Sequence, residues 1–207
     1  MAELGVVGDF LATVSRLEKM KKPEECLHVL RRLVGLGHDV KFVYIGDGSM
    51  RAELTEMAHP MTLADRVVFA GNRPQEWIAN VLPQARLVLS FHKGRVLTEA
   101  CLAGAPIVAY DCDWQGEIIH SGETGELVPV GEWEQMAIKA NQLLADPTRA
   151  RAVGKAARKL AMEMMNPKEL DSIEVNSYEA LFHRTARPFS ARLPLMLGVQ
   201  FFAADLP

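Results

Sequence analysis

From Ser90 to Asp111 the chain reads SFHKGRVLTEACLAGAPIVAYD, which predicts a loop, an amphipathic helix and a strand in immediate succession. Buried strands are predicted on either side of the helix, at Arg86 to Ser90 and at Ile107 to Tyr110. This order is typical of a phosphate-binding βαβ unit. Gly94 lets backbone N–H groups approach an anion, and the helix behind the loop directs its positive end at the same place.

The remainder of the chain alternates strands and helices in the same way. The further predicted strands are Phe10 to Ser15, Val40 to Ile45, Val67 to Phe69 and Leu127 to Val130. These strands are apolar throughout rather than half polar, which indicates burial on both faces. The sequence therefore predicts an α/β fold: a doubly wound, mostly parallel, Rossmann-like sheet with helices on both faces.

The length of 207 residues fits one domain of ordinary size. We assign residues 1–183 to this domain and residues 184–207 to an apolar C-terminal tail, which is broken by proline and has no clean period. The tail either packs on a further domain or associates peripherally with a membrane. Against the second alternative, it lacks the strongly basic face that an interfacial helix needs.

Composition excludes several classes of function. The net charge is -3 with 24% charged residues, so no broad basic face for nucleic acid is expected. The three cysteines, Cys26, Cys101 and Cys112, share no metal-ligand spacing and are interpreted as reduced core residues. No signal peptide and no membrane span is predicted. We expect a cytoplasmic protein that holds no metal and no cofactor.

In an open parallel sheet, ligands bind beyond the carboxyl ends of the strands, so the loops after the strands are the candidate site. Cations and glycines that meet at one edge favour an anion, and a diphosphate suits both an Arg fork and a Lys point charge. The polar loop residues are Arg16, Lys19, Lys21 and Lys22 after the first strand, Gly46, Asp47 and Gly48 after the second, Gly71, Asn72 and Arg73 after the third, and His92, Lys93, Gly94 and Arg95 after the fourth.

Each of these features also has a purely structural interpretation. The basic run Lys19 to Lys22 is more often a solvated loop, and Gly46 to Gly48 alone is more often a tight turn that begins a helix. His92 and Lys93 are as well explained as exposed loop residues. Glu99 is the exception, because it follows Val96 on an otherwise apolar helix start and needs a hydroxyl or cation partner there.

Four strings occur in one order and spacing, namely SRLEKMKKPEECLHVL, VYIGDGSMRAEL, DRVVFAGN and GRVLTEACLAGAPIVAYD. Together they resemble the donor-binding half of the family 4 retaining glycosyltransferases with the GT-B fold. The resemblance implies that Arg16 and Lys21 hold a nucleoside diphosphate and act in catalysis. It implies that Glu99 binds the ribose hydroxyls and that the loop from Gly71 to Pro74 lies against the base. The implied donor-binding residues are Gly46, Asp47, Gly48, Gly71, Asn72, Arg73, His92, Lys93, Gly94, Arg95, Val96 and Glu99.

The chain departs from the family in two respects. The family carries a first glutamate, in contact with the transferred sugar, where this chain has Phe91. The family also builds its enzymes from two similar domains, and the first strand here begins within ten residues of Met1. The resemblance therefore implies a donor half that needs an N-terminal acceptor domain or a partner chain, and a lone chain that is inactive.

The predicted function is binding of a nucleotide diphosphate sugar for retaining glycosyl transfer. A UDP-sugar is the first expectation and GDP-mannose the second, both from the resemblance. A non-catalytic nucleotide-sugar binding module is the alternative. A nucleotide-sugar epimerase is a weaker one, with His92 and Asp47 as the only acid/base candidates.

Overall fold

A computed structural model describes residues 1–183, and the predicted tail lies outside the described residues. Six strands form one sheet in the order β3-β2-β1-β4-β5-β6, and every neighbouring pair is parallel. The strands are β1 Phe10–Val14, β2 Lys41–Ile45, β3 Val67–Gly71, β4 Leu87–Ser90, β5 Ile107–Asp111 and β6 Glu126–Pro129. The strand order reverses between β1 and β4, where α/β sheets of this kind open a crevice for ligands.

Helices connect the strands and follow the last of them. They are α1 Pro23–Gly35, α2 Arg51–Ala58, α3 Gln75–Val81, α4 Arg95–Ala103, α5 Gln115–Ile118, α6 Trp133–Ala145, α7 Pro147–Met164 and α8 Pro167–His183. Local signals fix several ends. Pro23 stands at the first position of α1, Gly104 ends α4 with φ 70°, and the Asp146 carboxylate accepts from the backbone N–H groups at the start of α7.

The sheet separates two apolar layers. Leu87 and Leu89 of β4 pack in one layer with residues of α1, α2 and α6, whereas Val88 packs in the other with residues of α3, α4 and α7. Because the central strand β4 is covered on both faces, all four of its residues are buried, and three of them are apolar. The predicted doubly wound, Rossmann-like sheet is therefore confirmed.

The chain divides into two compact units, Met1–Asn166 and a second that begins at Pro167. The first contains the sheet and α1 to α7. The second begins with α8, where Leu170, Ile173 and Phe182 are exposed. Between residues 1 and 183, no helix is long and apolar enough to cross a bilayer. The predicted domain boundary at residue 183 stays a prediction.

Candidate functional site

A cavity of about 550 Å³ opens at the carboxyl ends of β1 to β4. The loops after these strands form most of its wall, which agrees with the position expected for a ligand in a parallel sheet. The predicted residues that line it are Arg16, Lys21, Gly46, Asn72, Arg73, His92, Lys93, Gly94, Arg95, Val96 and Glu99. The structure therefore brings residues from all four predicted loops to one cavity, and their individual roles stay predictions.

Asp47, Gly48 and Gly71 are not in the wall of this cavity. The Asp47 carboxylate accepts a 2.9 Å hydrogen bond from the Gly48 N–H and forms a 3.0 Å ion pair with Arg51. The Gly71 carbonyl accepts from the Gly46 N–H at 2.9 Å. These three residues support the loops that carry the wall rather than the wall itself.

The glycines of the turn after β2 allow two loops to pack closely. A Cβ on Gly46 would lie 2.1 Å from the Ser15 carbonyl oxygen, and one on Gly48 would lie 2.5 Å from that of Leu17. The Leu17 N–H donates to the Asp47 carbonyl at 3.0 Å, which fastens the same two loops. The tight-turn interpretation of this segment thus accounts for Gly48, and the turn fixes the loop that carries Arg16.

Lys21 links the loop after β1 to the loop after β4. Its Nζ donates to the Lys93 carbonyl oxygen at 3.1 Å and lies 3.1 Å from His92 Nδ1. Burial lowers the pKa of Lys21, and the nearby charges of Arg16 and Lys93 lower it further. Several cations are therefore held close together at this end of the cavity, which is an arrangement that favours a bound anion.

Gly94 stands at the start of α4 and adopts an extended backbone, with φ 164° and ψ 176°. A Cβ placed on Gly94 would meet no atom within 4 Å, so open space adjoins this backbone. An anion in that space would meet unpaired N–H groups and the positive end of the α4 dipole.

Glu99 lies one turn inside α4 and lines the same cavity. Its Oε2 atom is buried, and it has no hydrogen-bond partner among residues 1–183. A buried acceptor without a donor is costly unless a ligand supplies one. The sequence singled out this carboxylate for the same reason, and the structure places it where a ligand hydroxyl would reach it.

Arg73 is fixed at the β3 side of the cavity. Its Nε donates to the Ala70 carbonyl at 2.9 Å, and its guanidinium lies 4.9 Å from the centre of the Trp77 ring. Glu3 lies 3.6 Å from Arg73 and accepts from the Trp77 indole N–H at 2.7 Å. The guanidinium is thus oriented by three neighbours before any ligand binds.

Phe91 is a core residue as well as part of the cavity wall. It is 4% exposed, and its ring meets the Tyr110 ring edge to face at 5.4 Å between centroids. The Tyr110 hydroxyl donates to Glu25, so this aromatic pair is anchored to α1. The position at which the resemblance expects a glutamate therefore presents an apolar surface to the cavity.

Some wall residues were not predicted from the sequence. They are the strand ends and helix starts Thr13, Val14, Ser15, Pro23, Cys26, Ile45, Gln75 and Ile78. Ser15 directly precedes Arg16, and Gln75 follows Pro74, so adjacency to a predicted loop was an available signal for both. Cys26 gave no such signal, because it was interpreted as a core residue, and Ile78 lies within α3 rather than in a predicted loop.

Two solved structures show the same architecture. HepE of Anabaena, in complex with UDP and glucose, superposes with a TM-score of 0.77 at 23% identity, covering 86% of this chain and 50% of that chain. The C-terminal domain of the group 1 glycosyl transferase LpcC of Francisella tularensis superposes with a TM-score of 0.70 at 19% identity, covering 80% of this chain and 90% of that chain. At these identities the likeness shows the fold alone.

Sequence similarity extends across the same region. An N-acetyl-alpha-D-glucosaminyl L-malate synthase of Bacillus anthracis is 28% identical over 181 residues, covering 86% of this chain and 46% of that protein. The chain thus spans about half the length of this relative. A family model described as "Glycosyl transferases group 1" matches residues 8–160, which confirms the predicted family. The chain belongs to the group 1 glycosyl transferases.

Proposed function

We propose that this chain is the donor-binding half of a retaining glycosyltransferase and binds a nucleoside diphosphate sugar. The observation that carries the proposal is that one cavity contains both a cation cluster at Arg16 and Lys21 and the buried Glu99 Oε2 atom, which has no hydrogen-bond partner within residues 1–183. The cations can bind phosphate groups, and the carboxylate can accept hydrogen bonds from ribose hydroxyls. A nucleotide carries both kinds of group.

The same residues suit glycosyl transfer. When the bond between the anomeric carbon and the phosphate oxygen breaks, negative charge grows on the departing nucleoside diphosphate. Arg16, Lys21 and the backbone N–H groups near Gly94 would stabilise this charge where it develops. Loss of one such donor typically lowers the rate by about a hundred- to a thousandfold.

A UDP-sugar is the first candidate donor and GDP-mannose the second. Among the fold neighbours, HepE was solved with UDP and glucose, which favours uridine. The amides of Asn72 and Gln75 in the wall after β3 offer both donors and acceptors to a base.

Because the chain spans about half the length of its relative from Bacillus anthracis, an acceptor domain or partner chain would complete the enzyme. A cytoplasmic location belongs to the same proposal.

Calorimetric titration of the chain with UDP and with GDP tests donor binding. We expect one nucleotide to bind, and Arg16→Ala and Lys21→Ala to weaken that binding because each removes a phosphate cation. Arg151→Ala, an exposed arginine on α7 outside the cavity, is the matched control and should bind as the parent does. In the complete enzyme, normal transfer by either cavity variant would contradict the catalytic role.

Phe91 favours a second candidate, a nucleotide-sugar binding module without catalysis of its own. Binding of nucleotide without transfer in the assembled enzyme would support it. The epimerase alternative needs an acid and a base that face one ligand. Its two candidates do not share the cavity, because His92 lines it whereas Asp47 lies outside it and pairs with Arg51.

A further inference from the structure

The loop after β4 faces the cavity mainly with hydrogen-bond donors. The His92 carbonyl accepts from the Ser90 hydroxyl at 3.3 Å, and the Lys93 carbonyl accepts from Lys21 at 3.1 Å. His92 Nδ1 lies 3.1 Å from Lys21 Nζ and 3.1 Å from the Lys93 carbonyl oxygen, so the ring accepts from Lys21 in one tautomer and donates to Lys93 in the other. Beside these groups, Phe91 is apolar.

Such a wall suits a neutral sugar poorly. A sugar hydroxyl both donates and accepts, and its proton needs an acceptor such as a carboxylate or a carbonyl. Among the described residues that line the cavity, Glu99 is the only carboxylate, and the proposed function engages it with ribose. A group that only accepts would satisfy the donors of this loop.

The charges of the wall indicate the same kind of group. Arg16, Lys21, Arg73, Lys93 and Arg95 line the cavity, and the diphosphate of a nucleotide sugar carries only two negative charges. Arg73 has Glu3 at 3.6 Å, and Lys93 pairs at 3.0 Å with Asp113, whose side chain is 44% exposed. Arg95 forms no ion pair with any residue from 1 to 183.

We propose that the transferred sugar is acidic, a uronic acid, and that Lys93 and Arg95 bind its carboxylate. The inference rests on the proposed function. Lys21 touches both His92 and Lys93, so the group attached to the phosphate that Lys21 holds lies beside this loop. Arg95 can bind a planar carboxylate with two parallel hydrogen bonds, and Lys93 adds a point charge.

Titration of the chain with UDP-glucuronate and with UDP-glucose tests this proposal. If GDP is the nucleotide that binds, GDP-mannuronate and GDP-mannose take their place. We expect the acidic sugar to bind at least about tenfold more tightly, with a ratio that falls at high salt because charges near the surface are screened. In the Lys93→Met, Arg95→Met double variant the ratio should fall to about twofold or less, because the carboxylate loses both cations.

Lys159→Met, which removes an exposed lysine of α7, is the matched control and should retain the parent ratio. A ratio near one in the parent chain, or a ratio that survives the double variant, would overturn the acidic-sugar assignment while the proposed function stands. Failure of both UDP and GDP to bind would instead overturn the proposed function, and this assignment with it.

Discussion

Replacement of Glu99 by methionine should stabilise the free protein while it weakens nucleotide binding. The Oε2 atom of Glu99 is buried, and it has no partner within residues 1–183. Methionine has a similar length and no oxygen, so it removes the unsatisfied acceptor and leaves the cavity wall filled. The two effects have opposite signs, which a purely structural carboxylate would not produce.

The magnitudes follow from the burial of this side chain. An unpaired buried acceptor costs about 1–3 kcal/mol, and Glu99 is half-buried, so a gain of about 1 kcal/mol is expected. In a chain of this size that gain raises the melting temperature by about 2–4 °C. Loss of the hydrogen bonds from two ribose hydroxyls to a charged carboxylate costs about 2–3 kcal/mol, which is roughly a 30- to 150-fold weaker affinity.

Thermal melts with and without nucleotide, together with calorimetric titration, measure both effects. Glu24→Met is the matched control, because Glu24 Oε2 is also buried without a partner in the described part of the chain, yet it lies outside the cavity. We expect the control to melt higher and to bind nucleotide normally. A melting temperature several degrees lower in Glu99→Met, with unchanged affinity, would refute the ligand role of this carboxylate.

Three further predictions concern stability. The Glu126 side chain is 2% exposed and pairs with Lys139 at 3.0 Å and Arg149 at 2.6 Å. Converting both cations to methionine should lower the free energy of unfolding, measured by urea denaturation, by about 3–5 kcal/mol. A loss below about 1 kcal/mol would contradict this. Gly48→Ala would place a Cβ 2.5 Å from the Leu17 carbonyl oxygen and should lower the free energy of unfolding by about 1–3 kcal/mol in the same assay. An unchanged urea midpoint would contradict this close packing. Burial raises the pKa of Cys101 from 9.0 to about 12. As the pH rises, the thiol therefore loses its proton in the unfolded chain before it does so in the folded chain. The free energy of unfolding should fall between about pH 9 and 12. Cys101→Ala should show a smaller loss across that range, and equal losses would refute the assignment.

The secondary structure could be predicted almost entirely from the sequence because its signals are local. The run from Val40 to Ile45 predicted β2, which the structure bounds at Lys41–Ile45, and Pro23 is the first residue of α1, a position that favours proline. Gly104 follows the last residue of α4 and has the positive φ that favours glycine there. Each of these signals depends on a few adjacent residues.

The position of the site was also predictable, since the carboxyl ends of parallel strands meet at one edge of the sheet. The orientation of the residues at that edge was not. Asp47 and Gly48 occupy a predicted loop, yet they face Arg51 and Leu17 instead of the cavity. Nothing in their own segment distinguishes a residue that binds a ligand from one that supports the loop.

The sequence by itself determined the order of strands and helices, the family, and the loops that line the cavity. Tertiary structure alone decided which polar groups remain available to a ligand. Lys21 and His92 are 71 positions apart, and their contact, together with the hydrogen bond from Lys21 to the Lys93 carbonyl, joins the loops after β1 and β4. Glu99 became a strong candidate because packing buries its Oε2 atom without a partner. Turn and periodicity signals act over a few residues, whereas hydrogen-bond partners are set by segments that meet only after the sheet has formed.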